Sequence, residues 1–140
     1  MNMKKISLIL LFSLCLFTRC VDERPQPNFC IECEINGMSR SAADIRLSEI
    51  YQALEKIATS VTCNDASEWK FVAFGSKACG GPAGYLPYHK SIIVKDFLER
   101  VANYSALQNA YNKKWNVISD CSIVQMPKGV ECVDGKAKLL

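Results

Sequence analysis

Two stretches of this sequence carry residue types that do chemistry. The first is Cys30-Ile31-Glu32-Cys33, which has the C-x-x-C spacing of disulfide oxidoreductases. In such sites the first cysteine sits at a helix N-terminus, where backbone N–H groups stabilise the thiolate. Here Glu34-Ile35-Asn36-Gly37 follows and reads as a strand end or turn, and Glu32 and Glu34 place negative charge beside the thiols. Both features oppose a reactive thiolate. The pair is expected to be structural, with a thiol–disulfide redox protein using Cys30 and Cys33 as an alternative reading. Zinc fits poorly, because the chain has one histidine and an oxidising compartment competes for the thiols. Neither a metal nor a cofactor is expected.

The second stretch runs from Gly75 to His89 and holds four glycines, two prolines, Cys79, Tyr85, Tyr88 and the single histidine. That Gly and Pro content reads as a loop over Ser76–Tyr88, not as a regular element. A bridged Cys79 would pin it, and tyrosines give large amphipathic contacts at low entropy cost. Lys77, Gly80, Gly81, Pro82, Tyr85, Leu86, Tyr88 and His89 are therefore the expected binding loop. Catalysis is not expected there. Lys77 precedes the glycines, whereas a phosphate-binding loop places its lysine after them. Ser76 or Ser91 with His89 and a distant Asp would supply the residue types of an acyl-transfer triad, but neither serine lies in a G-x-S-x-G elbow. No spacing of carboxylates proposes a glycosidase pair.

Trp69, Gly75, Lys77, Cys79-Gly80-Gly81-Pro82, Tyr85, Tyr88, Ser119-Asp120-Cys121, Pro127 and the run from Cys132 to Lys136 form one extended pattern. It resembles that of a group of small exported bacterial proteins, over about residues 63–138. In that group a further cysteine often follows the last glycine, where this chain has Ala137. The resemblance implies export and a disulfide-bearing domain. It brings no activity with it.

Export is also legible in the first 20 residues. Lys4 and Lys5 precede an apolar run from Ile6 to Phe17, too short for the roughly 30 Å hydrocarbon core but suited to a secretory signal. Leu16-Phe17-Thr18-Arg19-Cys20 resembles a bacterial lipoprotein box, although Arg19 stands where that pattern prefers a small residue. Residues 1–19 are thus expected to be a signal peptide. Cys20 is the expected lipidation site, and residues 20–29 form a polar, proline-containing tether. Asp22 and Glu23 also resemble the surface-export signals of some Gram-negative lipoproteins. The expected location is the cell envelope, anchored by lipid to a bacterial membrane, with the outer membrane favoured, or secreted to the periplasm.

Three of the 17 basic residues precede Cys20 and all 14 acidic residues follow it, so the remainder is neutral. A neutral domain without a basic block gives no electrostatic reason to expect nucleic acid. Its six cysteines are Cys30, Cys33, Cys63, Cys79, Cys121 and Cys132, and an exported domain is where structural disulfides form. Bridges among the last four are the expected core staples, with the connectivity open.

The elements that must hold these residues follow from periodicity. Leu47, Ile50, Tyr51, Leu54, Ile57, Ala58 and Val61 recur at helical spacing, predicting a helix over Ser41–Ser60 with Ser41 as N-cap and Asp44 three residues on. Glu68–Gly75 reads as a strand with Trp69, Phe71 and Ala73 on one face. Asp96 is expected to cap a second long helix carrying Phe97, Leu98, Val101, Tyr104, Leu107, Ala110, Tyr111 and Trp115, with a break near Tyr104-Ser105 and a stop at Asn116. Asp134-Gly135 between extended flanks predicts a hairpin, which would pair with the Trp69 strand. Residues 30–140 are accordingly expected to form one α+β domain, two main helices packed on a small antiparallel sheet and stapled by disulfides. Its expected role is non-catalytic binding of an envelope or extracellular protein, or inhibition of a secreted hydrolase as an inhibitor or immunity factor.

Overall fold

The computed structural model describes residues 30–140. The leader, Cys20 and the tether lie outside the described residues. The fold is α+β, with two long helices, a short one and two small antiparallel sheets.

The first departure from the sequence reading is at the C-x-x-C segment. Helix α1 spans Ile31–Asn36, and Cys30 is its N-cap, its Sγ accepting the Cys33 N–H at 3.1 Å. This is a helix start and not a strand end. Ile31 and Ile35 stand one helical turn apart and pack on the core, Ile35 with no exposure at all. The other end of α1 is held by Lys114, whose Nζ donates to the carbonyls of Ile35, Asn36 and Met38 at 2.8, 3.2 and 2.7 Å. The ammonium supplements the backbone bond that Ile35 O accepts from the Met38 N–H and ties the chain leaving α1 to α3.

Helix α2 spans Arg40–Ala58 and starts two residues earlier than the capping box suggests. Ser39 is the N-cap, its Oγ accepting the Ala42 N–H at 3.2 Å. Asp44 serves a different purpose, as acceptor of the Tyr111 hydroxyl. Ala43, Leu47, Leu54 and Ala58 are buried along one stripe, as the periodicity requires.

Helix α3, Val94–Lys114, is unbroken through Tyr104-Ser105. Asp96 lies in its first turn and pairs with Arg100 at 2.8 Å, while the N-cap residue Ile93 makes no side-chain cap bond. Phe97, Val101, Tyr104, Leu107 and Tyr111 face the core. Asn116, just past the C-cap Trp115, has φ 46°, a left-handed residue that ends the helix.

Strand β1, Trp69–Phe74, pairs antiparallel with β2, Gly84–His89, in the register Trp69↔His89 to Phe74↔Gly84. The stretch read as a loop to Tyr88 therefore ends in a strand. Its breakers are concentrated in the first half, and the second half alternates in burial, Leu86 and Tyr88 inward, Tyr85 and His89 half-buried. Trp69, Phe71 and Ala73 share a face as expected. It is the face opposite the helices, since Val72, Phe74, Leu86 and Tyr88 pack into the core.

The tail forms its own hairpin, β3 (Val130–Val133) and β4 (Lys136–Leu139). Asp134 and Gly135 have φ 51° and 72°, the paired positive values that this turn needs. The hairpin does not extend the β1–β2 sheet as expected. It packs against both strands and is tied down by the Cys63–Cys132 disulfide and a 2.8 Å bond from Cys63 N–H to Gly135 O. A four-residue strand pair with its own turn completes its ladder locally, so β1 finds its partner in the adjacent β2.

Candidate functional site

The segment after β1 leaves the sheet at Gly75 and is fastened to α3 at three points. Ser105 Oγ accepts the Gly75 N–H at 2.9 Å, Gln108 Oε1 accepts the Ser76 N–H at 2.7 Å, and Asn112 Nδ2 donates to Ser76 O at 2.8 Å. These α3 residues are three and four apart, on one side of the helix. Gly75 has φ 71°, and a Cβ there would stand 2.5 Å from Gln108 Oε1 and 2.7 Å from the Ala83 Cβ. No other residue fits that corner without a shift.

Beyond Ser76 the chain makes a tight excursion. Gly80 N–H donates to Lys77 O at 2.9 Å, Lys77 N–H to Gly81 O at 3.0 Å, and Ala83 N–H returns to Phe74 O at 2.9 Å. Gly80 and Gly81 have φ 94° and 79°, with open space where a Cβ would sit. Their role is conformational: two successive positive φ values reverse the chain over Cys79.

This tip is then clasped by the chain that follows α3. Cys79 bonds Cys121, and Cys79 N–H donates to Ser119 Oγ at 3.3 Å. Lys77 Nζ donates to Asp120 Oδ1 at 2.8 Å and to Ser122 O and Oγ at 2.7 and 3.2 Å. Ser122 Oγ in turn donates to Asp120 Oδ2 at 2.7 Å. The Lys77 ammonium and the Ser122 hydroxyl hold the Asp120 carboxyl below the usual carboxylate range. The Lys77 side chain is 13% exposed against 76% for Asp120, so the lysine is drawn under the clasp.

The eight residues read as one binding loop are thus distributed among four environments. Lys77 is consumed by the clasp. Gly80, Gly81 and Pro82 form its tip. Tyr85 and His89 lie half-buried on the outer sheet face, where Tyr85 meets Phe71 edge-on at 5.9 Å and His89 meets Trp69 at 5.3 Å. Leu86 and Tyr88 are each 6% exposed and belong to the core, Tyr88 packing on Phe97. They are not available to a ligand, because strand alternation turns them inward.

His89 Nδ1 lies 2.7 Å from Ser91 Oγ and accepts the Ser91 N–H at 3.1 Å. The backbone donor makes Nδ1 an acceptor and places the ring proton on Nε2. The Ser-His contact is a local turn that closes the end of β2. Ser76 is held to α3 through both its backbone groups, away from the His89–Ser91 turn in the chain. Among the described residues, no group of three or more His, Cys, Asp or Glu side chains is placed to hold a metal ion.

The apolar residues of the clasping segment were not among those expected from the sequence. Ile118, Ile123 and Met126 are 95%, 84% and 70% exposed, on the non-regular segment that carries Cys121. A cavity of about 230 Å³ lies between that segment and the tip, lined by Lys77, Gly80, Gly81, Pro82, Ile123 and Val124 among others. The signal was present as three large apolar residues flanking Ser-Asp-Cys outside any periodic element. The six cysteines pair as Cys30–Cys33, Cys63–Cys132 and Cys79–Cys121, which makes the last two the long-range staples. No family model, curated protein or solved structure matches the chain.

Proposed function

We propose that this is an exported, lipid-anchored envelope protein that binds another protein without catalysis, through the clasped tip and the segment that clasps it. The observation that carries the reading is the combination of rigidity and apolar exposure. The tip is fixed by a disulfide, an ion pair and backbone bonds, and Ile118, Ile123 and Met126 stand out to solvent on the segment that clasps it, Ile123 against the tip itself. Exposed apolar groups on a preordered surface lose little entropy on binding and release water from apolar area. Disulfides support an extracellular or envelope location. Lipidation of Cys20 rests on the lipoprotein-box resemblance, and mass spectrometry of the mature N-terminus tests it. An unmodified terminus beyond Cys20 ends the lipid-anchor claim.

The binding test compares partners recovered from native envelopes by wild-type protein, by Ile118→Asp/Ile123→Asp, and by Ile93→Asp as a control. Ile93 is 79% exposed and precedes α3, away from the clasp in sequence. A protein recovered by wild type and control but lost with the double variant supports the reading. Equal recovery by all three overturns it. If the partner is a secreted hydrolase, its activity falls on adding the wild-type domain and not the double variant. That outcome selects the inhibitor or immunity-factor version.

A further inference from the structure

The Cys30–Cys33 bridge differs from the other two disulfides in what it holds together. It closes a sequence separation of 3, against 69 and 42 for the others, so it constrains almost nothing outside one helical turn. Both of its cysteines are exposed, as are Cys79 and Cys121, whereas Cys63 is 3% exposed and out of reach of a reagent in the folded domain. The platform beneath it does not depend on the bridge. Ile35 is wholly buried, Lys114 grips the Ile35 and Asn36 carbonyls and that of Met38 just beyond α1, and Arg46 Nε donates to Glu34 Oε1 at 3.0 Å. That ion pair also offsets one of the two acidic charges that oppose a thiolate here.

We propose that Cys30–Cys33 is a second functional site, a thiol–disulfide exchange site that takes two electrons from a dithiol while the domain stays folded. A thiolate of the dithiol attacks Cys33 Sγ, the Cys30–Cys33 bond breaks, and Cys30 leaves as a thiolate. Cys30 is the leaving group because its sulfur already accepts the Cys33 N–H. The second thiolate of the dithiol then attacks its own sulfur in the mixed disulfide and releases Cys33. The dithiol becomes a disulfide, having lost two protons and two electrons. Cys30 and Cys33 end as thiols protonated from solvent. This site is independent of the partner-binding face, and each stands or falls alone.

The test titrates the oxidised protein with dithiothreitol, quenches with iodoacetamide and maps the labelled peptides. Cys30 and Cys33 are expected to label together at about tenfold lower dithiothreitol than Cys63 and Cys132, with the far-UV circular dichroism unchanged. Oxidised dithiothreitol should then restore the bridge. Cys30→Ser, which keeps a side-chain cap acceptor on α1, should trap Cys33 as a stable mixed disulfide on incubation with oxidised glutathione, releasing one reduced glutathione, whereas wild type resolves it. Labelling of Cys30 and Cys33 only in step with Cys63 and Cys132, or only with loss of helical signal, overturns the proposal. So does failure of the Cys30→Ser protein, folded by circular dichroism, to form the mixed disulfide.

Discussion

Lys77 Nζ stands 2.8 Å from Asp120 Oδ1, joining two positions 43 residues apart directly beside the Cys79–Cys121 disulfide. The ion pair and the covalent bridge therefore secure the same crossing. One element of the pair is buried by the crossing and the other remains in water. That asymmetry governs what removal of each partner does.

Replacing Lys77 with Met removes the contacts to Asp120 and to both Ser122 acceptors at once. The expected loss is about 1–3 kcal/mol of domain stability, the range for charge-assisted bonds lost from a mostly buried donor. Asp120→Asn should cost less, because the ammonium keeps the Ser122 carbonyl and Asp120 itself is exposed. Urea unfolding of the two variants tests the order. A larger loss for Asp120→Asn would show that the carboxylate, and not the Ser122 carbonyl, holds the lysine.

The same pair has a pH signature. The Asp120 carboxyl titrates below its ordinary range because Lys77 and Ser122 bond its charged form. A group whose folded value is depressed contributes stability that is fully present above the unfolded value, about 3.9, and is lost as pH falls through the folded one. The difference in melting temperature between wild type and Asp120→Asn should be constant from neutral pH to about pH 5 and should shrink below pH 4. A difference that persists undiminished to pH 2 would assign the effect to something other than the carboxylate charge.

The parts of the fold that were legible in the sequence are those decided by local chemistry. The α2 and α3 stripes follow from helical spacing of apolar residues, and the Asp134-Gly135 turn follows from its need for positive φ. What failed was decided by partners distant in sequence. Asp44, three residues on, points to Ser41 as the cap, but Asp44 accepts the Tyr111 hydroxyl from α3 and Ser39 caps the helix instead. Leu86 and Tyr88 looked like loop residues because the preceding glycines masked a strand, and only pairing with β1 sorts that strand into faces. At the candidate site, Cys79 and the glycines were recognisable. Ser105, Gln108 and Asn112 were not, since polar residues beside a helical stripe usually face water.

The glycines of the site should respond differently to alanine. At Gly75 the new Cβ meets the Gln108 side chain and Ala83 within 3 Å as well as an unfavourable φ, so the loop must move off α3. Gly81→Ala meets open space and carries only the conformational penalty, about 1–2 kcal/mol for a left-handed residue. Gly75→Ala is therefore expected to lower the urea midpoint further than Gly81→Ala. It should also raise amide exchange at Ser76, whose N–H depends on Gln108. Equal midpoints would mean that Gln108 moves aside without loss.

The three disulfides should separate by the length of chain that each closes. The restriction placed on the unfolded chain grows with the logarithm of loop length, about 4 kcal/mol for separations of 69 and 42 and about 2 for a separation of 3. Paired Cys→Ser variants at Cys63/Cys132 and at Cys79/Cys121 should each lose roughly twice the stability of the Cys30/Cys33 pair. The first should lose more than chain entropy alone gives, because Cys63 is buried and its replacement puts a hydroxyl where a sulfur was packed away from water. The second frees the tip from the segment that clasps it, so it should also release Ile123 from its place beside Gly81 and weaken binding at that face. Stability and binding measured on the same three variants distinguish these effects. A Cys79/Cys121 variant that binds as wild type despite lower stability would show that the Lys77 bonds to Asp120 and Ser122 and the residue-79 N–H bond to Ser119 preserve the surface without the disulfide.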